Sequence, residues 1–220
     1  VLNKIGFNVD LMTVAFYAST VFSSIAVVFA FLLGRDLTKS NWGGFFAGLV
    51  IAIHPFLLTR TMGGFSDTDA FTVLFPLLAM FFYFRAFKSD KLLGKVIYTG
   101  LFGVTYFLFP KAWGGWWYSY VLLMAIAFVY TVYEMIFHLV KLSKRSSFDF
   151  KSYLKNIKPF AITFILLLVF SGIFISITLK SFTAFLNTPM LALSGKEMLK
   201  SVGITTIWPN VFTTVAELNP

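Results

Sequence analysis

The sequence predicts an all-α polytopic membrane protein with about six transmembrane helices. Hydrophobic residues make up 58% of the 220 residues and charged residues only 12%, whereas about a quarter of a soluble domain is charged. The mean hydropathy is +0.83. Most basic residues fall in the gaps between apolar stretches, so the net charge of +9 does not indicate nucleic-acid binding. The expected surroundings are membrane lipid.

Six apolar stretches are candidates for crossing a bilayer, which takes about 17 to 25 residues. They lie at residues 11–33, 43–59, 70–87, 96–110, 116–139 and 159–180. The second and fourth stretches are short, contain glycine, and end at Pro55 and Pro110. Because proline interrupts helices, we expect these two spans to be tilted, broken or partly re-entrant.

The basic residues alternate between the loops that join these spans. They are concentrated in three loops, at 34–42, 85–95 and 141–158. The turns between these loops each hold a single basic residue, Arg60 in one and Lys111 in the other. The positive-inside rule therefore predicts a multi-pass protein of the cell membrane whose three basic loops are cytoplasmic. The predicted external segments are 60–69, 110–116 and 181–220.

Two regions are predicted along the chain. Residues 1–180 form the transmembrane region, whereas residues 181–220 mix polar and apolar side chains and are predicted to form an external loop. The chain begins at Val1 and ends at Pro220, and we expect it to be a piece of a longer protein. It contains no Cys, which excludes disulfides and thiolate metal sites within it.

The polar gap at residues 60–71 is the strongest candidate for a functional site and reads RTMGGFSDTDAF. Asp67 and Asp69 lie two positions apart, and Arg60 lies seven residues before Asp67. Carboxylates at a water–lipid boundary can hold a hard divalent cation against a phosphorylated, membrane-embedded donor. An arginine can balance this charge or bind a phosphate.

Each of these residues also has a structural interpretation. Ser66 or Asp67 could cap the third span, with Asp69 in its first turn. Arg60 could extend from the end of the second span towards the polar boundary. That interpretation predicts a cytoplasmic position, whereas the distribution of basic residues places Arg60 on the external side. Residues two apart point to opposite sides of a helix, so both carboxylates reach one ion only if Asp67 lies outside the helix.

Three other groups of residues are weaker candidates. His54 is interpreted as an interfacial or packed histidine rather than a ligand, and Glu134 and His138 as a hydrogen-bonded pair one helical turn apart. Residues 112–117 read AWGGWW and suit an aromatic belt, although the glycine pair also allows a backbone or ligand to come close. Glu217 ends the sequence TVAE in the external loop.

Taken in order, three motifs resemble the catalytic subunit of oligosaccharyltransferase, the membrane enzyme of asparagine-linked glycosylation, preferably its archaeal type. Arg60, Asp67 and Asp69 match R-x6-D-x-D. Residues 113–115 match W-G-G, and residues 214–217 match T-[IV]-x-E. The resemblance covers essentially all of this chain but only part of a family member.

The resemblance implies the GT-C transmembrane fold and en bloc transfer of an oligosaccharide from a polyprenyl (dolichyl) phosphate or pyrophosphate donor. The acceptor would be Asn in an N-x-Ser/Thr sequon of a protein. A divalent cation, Mg²⁺ or Mn²⁺, is also implied. Carried over by position, Asp67 and Asp69 resemble metal-site carboxylates, and Arg60 resembles the active-site arginine. Glu217 resembles the loop acid near the acceptor amide and the metal.

Two family features are missing from the chain. The Asp of the first external loop would precede Val1, and the soluble C-terminal domain with its WWDYG motif would follow Pro220. We therefore expect the 220-residue chain alone to be inactive.

Two alternative functions remain open at the level of sequence. Another GT-C transferase, moving a single sugar from a polyprenyl phosphate, would share the fold and the external acids. A transporter would place ionisable groups near the bilayer midplane. The centres of the predicted spans carry essentially none, which argues against transport.

Overall fold

The computed structural model describes residues 11–62, 68–143 and 150–194. Every element assigned in these three ranges is an α-helix. The helices are α1 (Leu11–Thr38), α2 (Asn41–Ala52), α3 (Pro55–Thr61), α4 (Asp69–Lys88), α5 (Leu92–Ala112), α6 (Trp116–Ser143), α7 (Phe150–Leu179) and α8 (Phe182–Ser194). By length and composition, α1, α4, α5, α6 and α7 could each cross a membrane, and α2 with α3 could form a sixth crossing. The predicted all-α membrane class is confirmed.

The second predicted span is broken. Helix α2 ends at Ala52, α3 begins at Pro55, and the two helices are bent by 56°. Proline has no backbone N–H and its ring clashes with the preceding turn, so it begins a helix far more readily than it continues one. The sequence prediction of an interrupted span at Pro55 is therefore correct.

The fourth span is not broken, and its tilt stays a prediction. Helix α5 is a single helix of 21 residues that contains Pro110. Pro110 removes one intrahelical bond, to the Tyr106 carbonyl four residues earlier, but it lies in the last turn, so little helix has to continue beyond it. The helix ends two residues later, and the Trp113 N–H donates to the Phe109 carbonyl at 3.0 Å.

Helix α8 was not predicted from the sequence. It has 13 residues, which is shorter than the length needed to cross a bilayer. The Ala184 N–H donates to the Ser181 Oγ at 3.2 Å and satisfies a donor at the start of the helix. The external position of residues 181–220 stays a prediction, but its first part is helical.

The chain divides into two compact units, residues 1–85 and 86–220. In the first unit, α1 and α2 approach so closely that a Cβ atom on Gly44 would lie 2.8 Å from the Phe31 carbonyl oxygen. Helix α4 contacts α1 through aromatic rings, with ring centroids 4.7 Å apart for Phe22 and Phe71. Asp36 and Arg85 form an ion pair near the other ends of the same two helices.

The second unit is organised by the packing of α5 against α7. A Cβ atom on Gly103 would lie 3.1 Å from the Phe170 carbonyl oxygen, so glycine permits this close approach. Polar side chains join further helices. Tyr120 on α6 and Ser171 on α7 are hydrogen-bonded at 3.1 Å. Each hydroxyl group thus provides a hydrogen-bond partner for the other within an otherwise apolar bundle.

Candidate functional site

The predicted arginine and one predicted carboxylate lie together in the first unit. Arg60 belongs to the last turn of α3, and Asp69 is the first residue of α4. The Arg60 Nη1 atom lies 3.7 Å from the Asp69 Oδ2 atom, which is an ion-pair distance. The ion pair places the end of α3 beside the start of α4.

Arg60 is supported by its own helix. Its guanidinium carbon lies 5.6 Å from the centroid of the Phe56 ring, one helical turn earlier. A cation over an aromatic face is attracted by the ring electrons, and this contact restricts the arginine rotamer. The Arg60 side chain is 49% exposed, so its guanidinium can also contact an anionic ligand.

Asp69 occupies a position that favours a negative charge. It lies in the first turn of α4, where the backbone N–H groups and the helix dipole stabilise carboxylates. The turn is closed by the Phe71 N–H, which donates to the Thr68 carbonyl at 2.9 Å. Asp69 is therefore a first-turn residue as its structural interpretation predicts, and its side chain is 23% exposed. Its role as a metal ligand stays a prediction.

A cluster of hydroxyl side chains on α1 was missed by sequence reasoning. The Thr20 Oγ1 donates to the carbonyl of Thr61, the last residue of α3, at 2.8 Å. The signal was visible, because residues 19–24 read STVFSS within an otherwise apolar span. Ser19 and Ser23, which are 3% and 9% exposed, lie on the buried side of α1.

Two of the predicted site residues, Asp67 and Glu217, lie outside the described residues, as does the whole TVAE sequence. Within the ranges the structure describes, no group of three or more His, Cys, Asp or Glu side chains could hold a metal ion. The predicted metal set of Asp67, Asp69 and Glu217 thus has one described member. The condition that Asp67 lies outside a helix is likewise untested.

The W-G-G motif lies in the second unit, between α5 and α6. The Trp113 ring stacks on Phe109 with centroids 5.8 Å apart, and it also covers Gly115. A Cβ atom on Gly115 would collide with the Trp113 ring, so this glycine permits a close approach by the motif's own tryptophan. Trp113 is 38% exposed, whereas Trp116 is 7% exposed and belongs to the core rather than to an exposed aromatic belt.

The remaining candidates have local roles. His54 is an exposed residue at the N-cap of α3 without a side-chain capping bond, so the packed alternative is not observed and the interfacial one stays a prediction. The His138 Nε2 lies 3.6 Å from the Glu134 Oε2 on α6, so the two residues are neighbours one helical turn apart, at an ion-pair distance rather than in the predicted hydrogen bond. Neither residue contributes to the Arg60 and Asp69 pair.

The fold and this site define a multi-helix membrane protein with an arginine–carboxylate pair beside a broken helix. The family model for "Oligosaccharyl transferase STT3, N-terminal" matches residues 1–218. The chain therefore belongs to the STT3 family of oligosaccharyl transferases. The recognition made from the three sequence motifs is confirmed.

Relatives of this chain come from archaea, bacteria and animals. It is 30% identical over 221 residues to a dolichyl-phosphooligosaccharide-protein glycotransferase of Methanococcus voltae, covering 96% of this chain and 24% of the relative. It is 30% identical over 131 residues to an undecaprenyl-diphosphooligosaccharide–protein glycotransferase of Campylobacter jejuni, covering 57% of this chain and 16% of the relative. A worm relative, the glycosyltransferase subunit stt-3 of Caenorhabditis elegans, is 28% identical over 116 residues, which are 53% of this chain and 15% of the relative.

The chain thus spans about a quarter of the length of the Methanococcus voltae relative. No solved structure is significantly similar to this chain.

Proposed function

We propose that the full-length protein containing this chain transfers an oligosaccharide en bloc from a polyprenyl phosphate or pyrophosphate donor to the Asn of N-x-Ser/Thr sequons. The observation that carries this proposal is the 3.7 Å pair of Arg60 and Asp69 beside a broken helix, in a chain of this family. The names of the relatives support a lipid-linked oligosaccharide donor and a protein acceptor.

In this proposal, Arg60 binds the phosphate of the donor. Its guanidinium offers several N–H donors in a planar arrangement that matches phosphate oxygens. Phe56 and Asp69 restrict its rotamer before the donor arrives, so less side-chain entropy is lost on binding. Its side chain is 49% exposed, so the guanidinium is accessible to a ligand.

Asp67, Asp69 and Glu217 would hold Mg²⁺ or Mn²⁺. A donor set made only of carboxylate oxygens suits hard cations, and the partly exposed Asp69 carboxylate fits this role. When bound, the cation would supply electrophilic stabilisation of the charge on the departing phosphate. The Arg60 guanidinium, close to the same carboxylate, would limit the negative charge that collects there.

The acceptor amide requires activation by the protein. An amide nitrogen is a poor nucleophile because resonance occupies its lone pair, the effect that gives the peptide bond a rotation barrier of about 18–20 kcal/mol. Carboxylates that accept both amide N–H groups would hold the nitrogen in a less conjugated geometry beside the anomeric carbon. Glu217 is proposed for this role. No covalent nucleophile is required, so the expected outcome is inversion at the sugar.

The proposed location of the reaction is the external face of the cell membrane. This rests on the distribution of basic residues, which are abundant in alternate loops and scarce at residues 60–69. The 220-residue chain alone is proposed to be inactive, because the family's first-loop carboxylate and its sequon-reading domain are not within it.

The deciding experiment uses membranes that contain the full-length protein. A tagged peptide with an N-x-Thr sequon is added with a lipid-linked oligosaccharide, and mass spectrometry follows the peptide. We expect a mass increase equal to one whole glycan, dependent on Mg²⁺ or Mn²⁺. A peptide with Gln in place of the sequon Asn controls for attachment elsewhere.

Variants of the protein separate the site from the rest of the chain. Arg60→Ala and Asp69→Ala should each lower turnover, whereas Glu134→Gln removes a carboxylate that contacts His138 and should not. Addition of one sugar residue instead of a whole glycan would indicate another GT-C transferase. Full turnover by both Arg60→Ala and Asp69→Ala would refute the proposed site.

A further inference from the structure

Thr20 makes an unusual contact for a hydroxyl residue in an apolar helix. Most hydroxyl groups in such helices donate to a carbonyl of their own helix, but the Thr20 Oγ1 donates to the Thr61 carbonyl of α3 at 2.8 Å. Thr61 is the last residue of α3, and the last carbonyls of a helix have no intrahelical donor. Thr61 is only 5% exposed, and within the described residues Thr20 supplies a donor to its carbonyl in a partly buried hydrogen bond.

Helix α3 needs such a contact to fix its direction. It has seven residues, fewer than an isolated helix requires for stability. The 56° bend at Pro55 separates its axis from that of α2, so α3 does not continue the direction of α2. Its buried side chains are Leu57 and Thr61, one turn apart on the same side of α3.

The same stretch of α1 also supports α4. Phe22, two residues after Thr20, contacts Phe71 with ring centroids 4.7 Å apart, and Phe71 lies two residues after Asp69. One short segment of α1 therefore binds the helix that carries Arg60 and the helix that carries Asp69. Because Arg60 directly precedes Thr61, a shift of the Thr61 carbonyl moves Arg60 relative to Asp69.

We infer that Thr20 is a positioning residue for the transfer reaction. Through its hydrogen bond to the Thr61 carbonyl, it holds α3 at the angle that keeps Arg60 beside Asp69 and the donor phosphate. The inference rests on the proposed function, in which Arg60 binds that phosphate. In this inference Thr20 acts through Arg60 and not by binding the donor or the acceptor.

The first test compares three variants of the full-length protein in the peptide glycosylation assay. Thr20→Val keeps the side-chain shape but removes the donor, and we expect kcat to fall about threefold to tenfold, the effect of one hydrogen bond. Thr20→Ser retains the donor and should restore turnover. Thr59→Val is the matched control, because the Thr59 hydroxyl bonds that the structure describes run to the Pro55 and Phe56 carbonyls within α3.

The second test asks whether Thr20 acts through Arg60. In an Arg60→Ala background, Thr20→Val should cause no further loss of turnover, because the group that it positions is absent. A general structural role would lower turnover by the same factor in both backgrounds. Hydrogen exchange over residues 55–62 gives a readout independent of activity and should accelerate in Thr20→Val but not in Thr20→Ser.

Different outcomes would overturn the inference about Thr20 and the proposed role of Arg60. Equal turnover of Thr20→Val and Thr59→Val, or an undiminished effect of Thr20→Val in the Arg60→Ala background, would overturn the inference. Full turnover by Arg60→Ala would instead overturn the proposed role of Arg60. Hydrogen exchange over residues 55–62 would then still decide whether Thr20 holds α3.

Discussion

The Lys95 Nζ lies 2.8 Å from the Thr163 Oγ1, so an ammonium group joins α5 to α7. Lys95 is 5% exposed, and its Nζ also lies 3.5 Å from the Ala86 carbonyl in the last turn of α4. Lysine is rarely buried unless its charge is satisfied. Lys95 therefore joins three helices near the predicted cytoplasmic boundary, where helix-end carbonyls attract a cation.

Replacing Lys95 should reduce stability. Lys95→Met preserves most of the packing volume but leaves the Ala86 carbonyl without this donor, and we expect the free energy of unfolding to fall by about 1–3 kcal/mol. Thermal unfolding of the detergent-solubilised full-length protein measures the effect. Lys91→Met is the control, because Lys91 is exposed and precedes the same helix. Equal melting temperatures of the two variants would contradict the prediction.

The close approach of α1 and α2 gives a second stability prediction. Alanine has the higher helix propensity, by about 1 kcal/mol, yet Gly44→Ala should destabilise the protein because its Cβ would lie 2.8 Å from the Phe31 carbonyl oxygen. Gly100→Ala meets no atom within 4 Å and should be neutral or stabilising. Chemical or thermal unfolding of both variants distinguishes these effects. Stabilisation by Gly44→Ala would show that α2 can move away at no cost.

The predicted topology can be tested by labelling. The chain contains no Cys, so single cysteines can be introduced at Ser66 and Ser147. An impermeant thiol reagent applied to intact cells should label Ser66→Cys and not Ser147→Cys, because the loop at 141–158 is rich in basic residues. Permeabilised cells provide the control for reactivity. Labelling restricted to Ser147→Cys would invert the topology.

The proposed metal ligands predict a shift in metal dependence. In the full-length protein, Asp67→Ala should lower turnover by more than about tenfold and raise the Mn²⁺ concentration required for half-maximal activity, since a carboxylate ligand is lost. Turnover is measured across a Mn²⁺ titration, with Asp90→Ala as the control for loss of a carboxylate elsewhere. An unchanged titration would leave Asp67 as a helix cap.

Glu217 predicts a separation of binding from chemistry. Glu217→Gln keeps the side-chain size but removes the charge that would accept an amide N–H and help hold the metal. We expect kcat to fall about a hundredfold or more, because the carboxylate's interaction with the acceptor amide is made mainly in the transition state. The affinity for the donor should change little. Donor binding and turnover are measured separately. Near-normal glycosylation would leave the site resting on Arg60, Asp67 and Asp69.

The long helices were predictable because each needs only a sustained apolar stretch. Helix α4 was expected to begin at residue 70 and begins at Asp69. The break at Pro55 followed from the chemistry of proline, whereas α5 continues through Pro110, beyond which only two residues of the helix remain. Helix α8 was missed because its 13 residues mix Thr and Asn with apolar side chains and are too few for a span.

The site was only partly predictable for a related reason. Arg60 and Asp69 could be assigned to one site because both lie within the polar gap at residues 60–71 of the sequence. The contribution of Thr20 depends on which helices are neighbours, and Thr20 is 41 residues distant from Thr61 along the chain. Likewise, the Trp113 ring covers Gly115 through a side-chain rotamer that no motif specifies.

The bend at Pro55 has a geometric consequence for Arg60. The seven residues of α3 rise about 10 Å along their own axis, and a 56° bend turns most of that rise sideways, leaving about 6 Å along the axis of α2. Arg60 is therefore displaced sideways from the axis of α2 more than it is displaced along that axis. Because each residue of a helix turns by about 100°, inserting one residue between Pro55 and Arg60 would swing the guanidinium to a different side of α3. The five-residue interval from Pro55 to Arg60 therefore determines the side of α3 on which the arginine lies as well as its distance from the bend.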